Sequence, residues 1–534
     1  MSNSVKNNTN NRLALWLTLI IYWALTFGLL QASLQKTKGH FGYPLDDTYI
    51  HMAIARHVAE DGVWGVSMHE FSSSTSSPLW TFLITLAYIA FGVNDWTPLA
   101  LSTLVGSLTI YACYRLLLNN LNNPIRLTAL LIIILLFVPL PILTLTGMEH
   151  ILHGLLTLLL IYYSADYLSN NQFTFRSFLL LIALANLTVA TRYEGTLLVF
   201  TIGIVFFIKK RFSEGIAFGG FSLTLIAIYG VWSVLNGWRF FPNSILLKGN
   251  SLSFTIEGMV VFIEHTMSNF YNSSFILVLL ALISTMYLRF ESAMREKEQY
   301  LIILSATAVF LHMLFASIGW FFRYEAYLIL ILIVVIADIF NKYFVYQEET
   351  TKRLSVYNYG ARLSLAFLFV IPLTMRAITS FVQYPFAVTN IYEQQYQMGL
   401  FIKKYYSGQC VAVNDIGAIS YLADICLIDL YGLANIEVLN SRLQGSFEKD
   451  EIESLVAQNN TQVIIIYNEW FEGNIPDVWE EVGRWKISNN VVCASNVVAF
   501  YAPDETLQPS VIENLQDFSA QLPEEVEQLG AYLQ

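Results

Sequence analysis

Apolar runs of about twenty residues, separated by short polar stretches, fill the first 380 positions of the chain. The first, LALWLTLIIYWALTFGLLQAS within 13–34, is long enough as a helix to cross a hydrocarbon core of ~30 Å. No small-residue cleavage site follows it, so it reads as an anchor and not as a removed signal peptide. Further spans are predicted at 98–118, 127–145, 149–166, 177–191, 194–208, 213–236, 273–289, 299–318, 324–344 and 361–381. The pair 177–191 and 194–208 is short, which leaves room for tilt or a re-entrant hairpin. The stretch PLWTFLITLAYIAF (78–91) is too short for a comfortable span.

Lysine and arginine decide how to treat 78–91, because counting it as a span flips every later loop. Left out, with the N-terminus inside, the inner loops collect fifteen cations and the longer outer loops only seven: Lys36, Lys38, Arg56, Arg192, Arg239, Lys248 and Arg323. Counting it reverses most of that bias. The segment is therefore expected to lie as a helix against the outer face. The fold class that follows is a polytopic α-helical membrane protein of about 11 transmembrane helices, with its N-terminus cytoplasmic and its C-terminus outside. The seven outer cations run against the topological bias, so each calls for a partner: a nearby carboxylate or an anionic headgroup.

Composition agrees: 55% of the 534 residues are hydrophobic, only 13% are charged and 15% are aromatic, against about a quarter charged in a soluble chain. A cytosolic enzyme, a disordered chain and a disulfide scaffold are excluded. The net charge of −11 hides two regions. Residues 1–381 carry 23 Lys+Arg and 19 Asp+Glu, whereas 382–534 carry 6 and 21. The chain thus divides into a membrane body, 1–381, with a first outer loop over 35–97, and an acidic water-facing domain, 382–534. Phosphate repulsion makes nucleic acid an unsuitable partner for that domain. In it, VAVND (411–415), CLIDL, TQVIIIYNE and VVCASNVVAFYAP read as strands and IGAISYLA as a short helix, giving a small α/β or α+β domain. The last thirty residues read as a loose helix or tail. In an oxidising space Cys410 and Cys426 are placed to pair; buried free thiols are the alternative.

The first outer loop, FGYPLDDTYIHMAIARHVAEDGVWG (41–65), holds adjacent carboxylates, Asp46 and Asp47. Tyr49, Met52, Ala53 and Arg56 then follow at i, i+3, i+4 and i+7, one face of a helix that Gly62 ends. One aspartate serves as an N-cap in the bland reading; two adjacent ones repel, so capping does not account for both. A carboxylate at an outer membrane boundary accepts a proton from an attacking hydroxyl or binds a divalent metal. Both fit group transfer from a lipid-linked donor.

LDDTYI…ARHVAEDGVWG followed by SSSTSSPLW (72–80) resembles the first periplasmic loop of the GT-C superfamily of polyprenyl-phosphate-sugar-dependent glycosyltransferases, closest to its cell-wall arabinofuranosyltransferase-like branch. TGMEHILHGLL (146–156), TRYEG (191–195), RFFPNSILLK (239–248), RYEAYLIL (323–330) and NDIGAISYLADICLIDLYGLAN (414–435) continue the resemblance in order, all on the outer side. The chain departs from the family at Tyr193, where an Arg-Pro-Glu-Gly turn often has proline. The resemblance implies a GT-C-like body with a periplasmic C-terminal domain in a bacterial inner membrane. It also implies a polyprenyl-phosphate sugar as co-substrate, a glycan or protein acceptor, and no cofactor or metal.

Carried onto this sequence, the resemblance makes Asp46 the general base and Asp47 its partner. Donor phosphate falls to Lys248, Arg239, Arg192 and Arg323, because a fixed cation neutralises a departing phosphate. Lys248 is the preferred ligand. Salt bridges within Arg192–Glu194 and Arg323–Glu325 are the bland alternative for two of them. Tyr49, Arg56, Glu149, Glu194, Asn243, Asp415 and Asp429 are candidate substrate contacts. Glu149 otherwise reads as snorkelling to water, and Asp415 as a helix cap. His150 and His153 lack a matching carboxylate set for zinc. Two other readings compete: a transferase moving a whole lipid-linked oligosaccharide, which calls for metal, and a lipid-linked-sugar transporter or flippase, which places its ionisable residues at mid-membrane.

Overall fold

A computed structural model of the chain describes residues 2–118, 120–121, 123–170, 174–248, 255–348 and 356–534, with side chains for 11–118, 120–121, 123–170, 174–247, 255–256, 258–343 and 370–534. They form two compact units. One comprises Met1–Gly28, Leu99–Ile228 and Lys248–Val382; the other comprises Leu29–Pro98, Tyr229–Leu247 and Gln383–Gln534. The last segment of the second unit begins at Gln383. The second unit, however, also takes in the whole first loop and a loop near 240, because both pack into the core of the C-terminal domain.

In the first unit each expected span falls on one or more helices, but their lengths differ. Among the described residues six helices are long and apolar enough to cross a membrane: Asn11–Lys36, Thr97–Leu118, His150–Ser169, Ser274–Ala293, Glu296–Phe315 and Ala326–Tyr343. The expected span 213–236 is a pair, Phe212–Phe221 and Thr224–Leu235, bent by 43°. The expected span 127–145 divides at Val138–Pro139 into Pro124–Phe137 and Leu140–Leu145. Pro124–Phe137 and Gly195–Ile208 have 14 residues each and Phe175–Thr191 has 17. At 1.5 Å per residue these fall short of ~30 Å. The last expected span lies within helix Val356–Ile391. Hydroxyls inside the spans return to backbone carbonyls a turn earlier, as Thr109 does to Val105 (2.8 Å) and Thr157 to His153 (2.7 Å), the internal satisfaction that lipid demands. The first helix turns Leu13, Trp16, Ile20, Trp23 and Phe27 outward at helical spacing and buries Thr18 and Tyr22. The Tyr22 hydroxyl meets Thr144 Oγ1 at 2.7 Å, in the space a side chain on Gly106 would fill.

The second unit is built on a six-stranded mixed sheet. Its strands are β1 (Cys410–Val413), β2 (Cys426–Asp429), β3 (Val463–Ile466), β4 (Glu480–Lys486), β5 (Val497–Ala502) and β6 (Glu527–Leu529), in the order β2-β1-β3-β5-β4-β6. β1 runs parallel to β2 and β3; β5 runs antiparallel to β3 and β4, and β6 antiparallel to β4. Alternation along the strands makes two buried faces. Val411, Val413, Val463 and Ile465 meet Phe401, Trp485 and Phe500 on one side; Ala412, Ile464 and Ile466 meet Ile452 and Val456 on the other. Ile50 and Ile54 of the first-loop helix Asp46–Asp61 join the first of these cores.

Three local expectations are corrected. The first-loop helix is not a one-sided surface helix: residues 48–55 and 57 are all buried. Residues 491–496 form a loop, and β4 and β6 were not foreseen. The final thirty residues are not loose, since helix Gln508–Ser519 buries Val511, Leu515 and Phe518 and Tyr532 packs beneath β4. Segment 78–91 is a helix, Pro78–Phe91, whose first turn is capped by Ser77.

Cys410 and Cys426 stand opposite each other in the β1–β2 register and form a disulfide. Cys113 and Cys493 are free thiols. The bridge closes a loop of 16 residues, worth about 3 kcal/mol by the chain-entropy relation. Replacing both cysteines by serine is therefore expected to lower the thermal midpoint of the detergent-solubilised protein, and dithiothreitol to lower that of the parent but not of the variant.

Candidate active site

The first-loop helix begins at Asp46, but neither aspartate caps it. The preceding residue is Leu45, in extended backbone, and no side chain caps the first turn. The Asp46 carboxylate instead reaches helix Gly417–Leu422, more than 370 positions away: Oδ2 accepts from Gly417 N–H and Oδ1 from Ala418 N–H, both at 2.8 Å. The sequence motif NDIGAI therefore receives its cap from another element. Asp415, the expected cap, does not act as one. Only glycine fits at 417, because a Cβ there would lie 2.1 Å from the Asp46 carbonyl oxygen and 2.7 Å from Oδ2.

Asp415 leaves the carboxyl end of β1, beside the carboxyl end of β3. There Tyr467 N–H donates to Asn414 Oδ1 at 2.8 Å, and the Tyr467 hydroxyl lies 2.6 Å from Asp415 Oδ2 and 2.7 Å from Gln394 Oε1. Gln395 Nε2 donates to Asp415 Oδ2 at 2.9 Å and to the Tyr467 hydroxyl at 2.7 Å. Gln394 and Gln395 are buried in a turn of π-helix, Tyr392–Tyr396, a local irregularity that recurs at functional sites. Sequence reasoning missed Gln394, Gln395 and Tyr467; their signal was a pair of amides in an otherwise core-forming helix. Carboxyl ends of parallel strands are where α/β sheets take ligands.

Burial raises the Asp46 carboxyl above the ordinary carboxylate range. Asp415 pushes it further, Ala418 and Gly417 N–H pull it back, and Asp47 adds a smaller upward push. Asp46 is thus a desolvated, proton-attracting carboxylate beside a second one. Asp429, at the end of β2, is fully buried and spent on its own turn. It accepts from Tyr431, Gly432 and Ala434 N–H at 2.8, 3.2 and 2.6 Å, and burial, opposed by those bonds, pushes it up to about 6.

The other first-loop candidates are structural in this unit. The Tyr49 hydroxyl is buried and accepts from Tyr43 N–H at 3.0 Å. Arg56 pairs with Asp424 at 2.6 Å. Exposed Arg239 gives two bonds, 3.0 and 2.8 Å, to the neutral Asn440 Oδ1. Asn243 donates through its backbone to Ser73 O (2.8 Å) and through its amide to Gly432 O (2.9 Å), at the start of helix Asn243–Lys248. The Lys248 side chain lies outside the described residues.

In the first unit the structure brings together Glu149, Arg192, Glu194 and Arg323. Glu149 is fully buried, so it does not snorkel; it accepts from Arg192 at 2.8 Å. Arg192 also pairs with Glu194 at 2.5 Å and donates to His150 Nε2 at 2.9 Å. Arg192 and Arg323 lie over the same ring, Tyr324, at 5.3 and 5.0 Å. Arg323 is 1% exposed. Glu325 pairs with Arg376 at 2.9 Å. Arg376, hidden by sequence within the last apolar span, is a buried cation the reading left without a role. Among the described residues no group of three or more His, Cys, Asp or Glu side chains is placed to hold a metal ion.

Residues 389–501 match a family described as a domain of unknown function, DUF8728. No curated protein matches the chain in sequence. The structure is similar to that of ArnT from Cupriavidus metallidurans bound to undecaprenyl phosphate, at 11% identity and a TM-score of 0.52, over 91% of this chain and 98% of that one. The archaeal oligosaccharyltransferase AglB from Archaeoglobus fulgidus, in complex with an inhibitory peptide and a dolichol-phosphate, aligns at 14% identity and a TM-score of 0.46, over 91% and 74%. Identity this low makes the ArnT likeness one of fold. The fold is that of GT-C membrane glycosyltransferases: a multi-pass helical body with a C-terminal sheet domain.

Two stability experiments test the geometry. Gly417→Ala forces a methyl group into Asp46 and is expected to cost about 2 kcal/mol or more, read as a lower thermal midpoint. Asp429 keeps a proton that the unfolded chain releases near 3.8. Its contribution to stability is full below that value and is lost as pH rises through about 6. Wild type should therefore lose stability relative to Asp429→Asn, on the order of 3 kcal/mol, across that window, as followed by melting at stepped pH.

Proposed function

We propose that the chain is an integral membrane glycosyltransferase that moves a sugar from polyprenyl phosphate to a hydroxyl of an envelope glycan or protein, on the extracytoplasmic side of a bacterial inner membrane. The observation that carries this reading is the Asp46 carboxylate, half-buried and pinned within a GT-C fold. The sugar is a pentofuranose such as arabinofuranose if the branch resemblance holds.

In this mechanism the acceptor oxygen attacks the anomeric carbon while its proton passes to Asp46. Each carboxylate oxygen that accepts one backbone N–H keeps a lone pair for that hydroxyl. Burial makes the group a stronger base, and the two N–H bonds fix its direction. Asp47 orients the acceptor or faces the positive charge growing on the ring. The bond from the anomeric carbon to the phosphate oxygen breaks, and the electron pair leaves on polyprenyl phosphate. Arg323 and Lys248 neutralise that charge. Arg192, already held by two glutamates, orders the site and contributes less. Arg239 serves the loop it is bound to. No metal enters the mechanism.

Sidedness draws support from two features. The first loop and the C-terminal domain share one compact unit, so they lie on one side of the membrane. The Cys410–Cys426 disulfide fits an oxidising compartment. A transporter has no need for a first-loop helix built into a soluble core, which favours transfer over the flippase reading.

Membranes carrying Asp46→Asn and Asp47→Asn, given labelled polyprenyl-phosphate sugar, test the assignment. At least one variant is expected to lose transfer by about 10²-fold or more while retaining donor binding. Full activity in both removes the carboxylate base, and loss of transfer on chelation favours the en bloc, metal-dependent reading.

A further inference from the structure

We propose that Arg376 and Glu325 are positioning residues: together they clip a left-handed turn closed and thereby set the Arg323 guanidinium for the donor phosphate. This deepens the transferase reading and rests on it.

The turn joins helices Glu296–Phe315 and Ala326–Glu348. Four consecutive residues of this connection form the turn and all have left-handed backbone: Gly319 at φ +84°, Trp320 at +39°, Phe321 at +57° and Phe322 at +62°. Glycine takes this conformation freely. Bulky aromatic residues do so only where surrounding bonds enforce it, because Cβ crowds the next carbonyl. Such strain collects at functional sites.

The enforcing bonds come from two buried charges. Glu325 Oε2 accepts Gly319 N–H at 2.8 Å, at the start of the turn. Glu325 Oε1 accepts from Arg376 Nη2 and Nε at 2.9 and 3.2 Å. Arg376 Nη2 also donates to Phe322 O, the last residue of the turn, and Nη1 donates to Phe137 O at 3.2 Å. The Arg376 guanidinium covers the Phe322 ring at 5.4 Å. The first and last residues of the turn are therefore tied through one ion pair, 4% and 7% exposed. Arg323 is the next residue along the chain. Its guanidinium lies over Tyr324, as that of Arg192 does, with Nη1 donating to Met148 Sδ at 2.6 Å and Nη2 to the Tyr324 hydroxyl at 3.3 Å. The clip fixes the backbone from which that side chain extends.

The test uses the full chain in detergent and its affinity for undecaprenyl phosphate, with thermal midpoints alongside. Arg376→Met is expected to weaken binding at least ten-fold, and Arg376→Lys to restore part of it. Glu325→Gln, which keeps side-chain shape, repeats the experiment if Arg376→Met does not fold. Each variant is then remade with Arg323→Ala. Because the clamp acts through Arg323, the second substitution should change affinity less than two-fold in that background. Wild-type affinity in both Arg376→Met and Glu325→Gln, or equal loss with and without Arg323, overturns the clamp. Wild-type affinity in Arg323→Ala overturns the donor-phosphate reading itself.

Discussion

One carboxylate ties the first membrane-proximal loop to the soluble domain. Asp46 sits at the start of its own helix, yet spends both oxygens on the N-terminus of another, at Gly417 and Ala418. A buried carboxylate needs hydrogen-bond donors, and an uncapped helix start has them to give. Each solves the other's problem. The bond holds helix Asp46–Asp61 in the core, where Ile50 and Ile54 complete the apolar face of the sheet. It also brings Asp46 to the sheet end where Asp415, Tyr467 and Gln395 gather.

The arginines of the helical unit follow a related rule. Charges taken out of water are paired: Arg192 with Glu149 and Glu194, and Arg376 with Glu325. Arg192 and Arg323 share the Tyr324 ring.

The two units differ in kind. The helical unit suits lipid, with hydroxyls returned to their own backbone and aliphatic faces turned outward. The sheet unit carries what lipid does not permit: strand ends, loops and backbone N–H groups at helix starts.

Sequence alone determined the apolar runs and the acidic character of the C-terminal region. Run length, charge bias and strand alternation are local and survive without neighbours. The disulfide was legible only as one of two alternatives, since spacing does not show that Cys410 and Cys426 stand in register. Tertiary structure decided the partners. That Asp46 caps the helix at Gly417, that Glu325 pairs with Arg376, and that Gln394, Gln395 and Tyr467 converge on Asp415 all depend on contacts between segments far apart in the chain. A buried polar group takes whichever partner the packing brings within 3 Å, and no periodicity along the sequence records which one that will be.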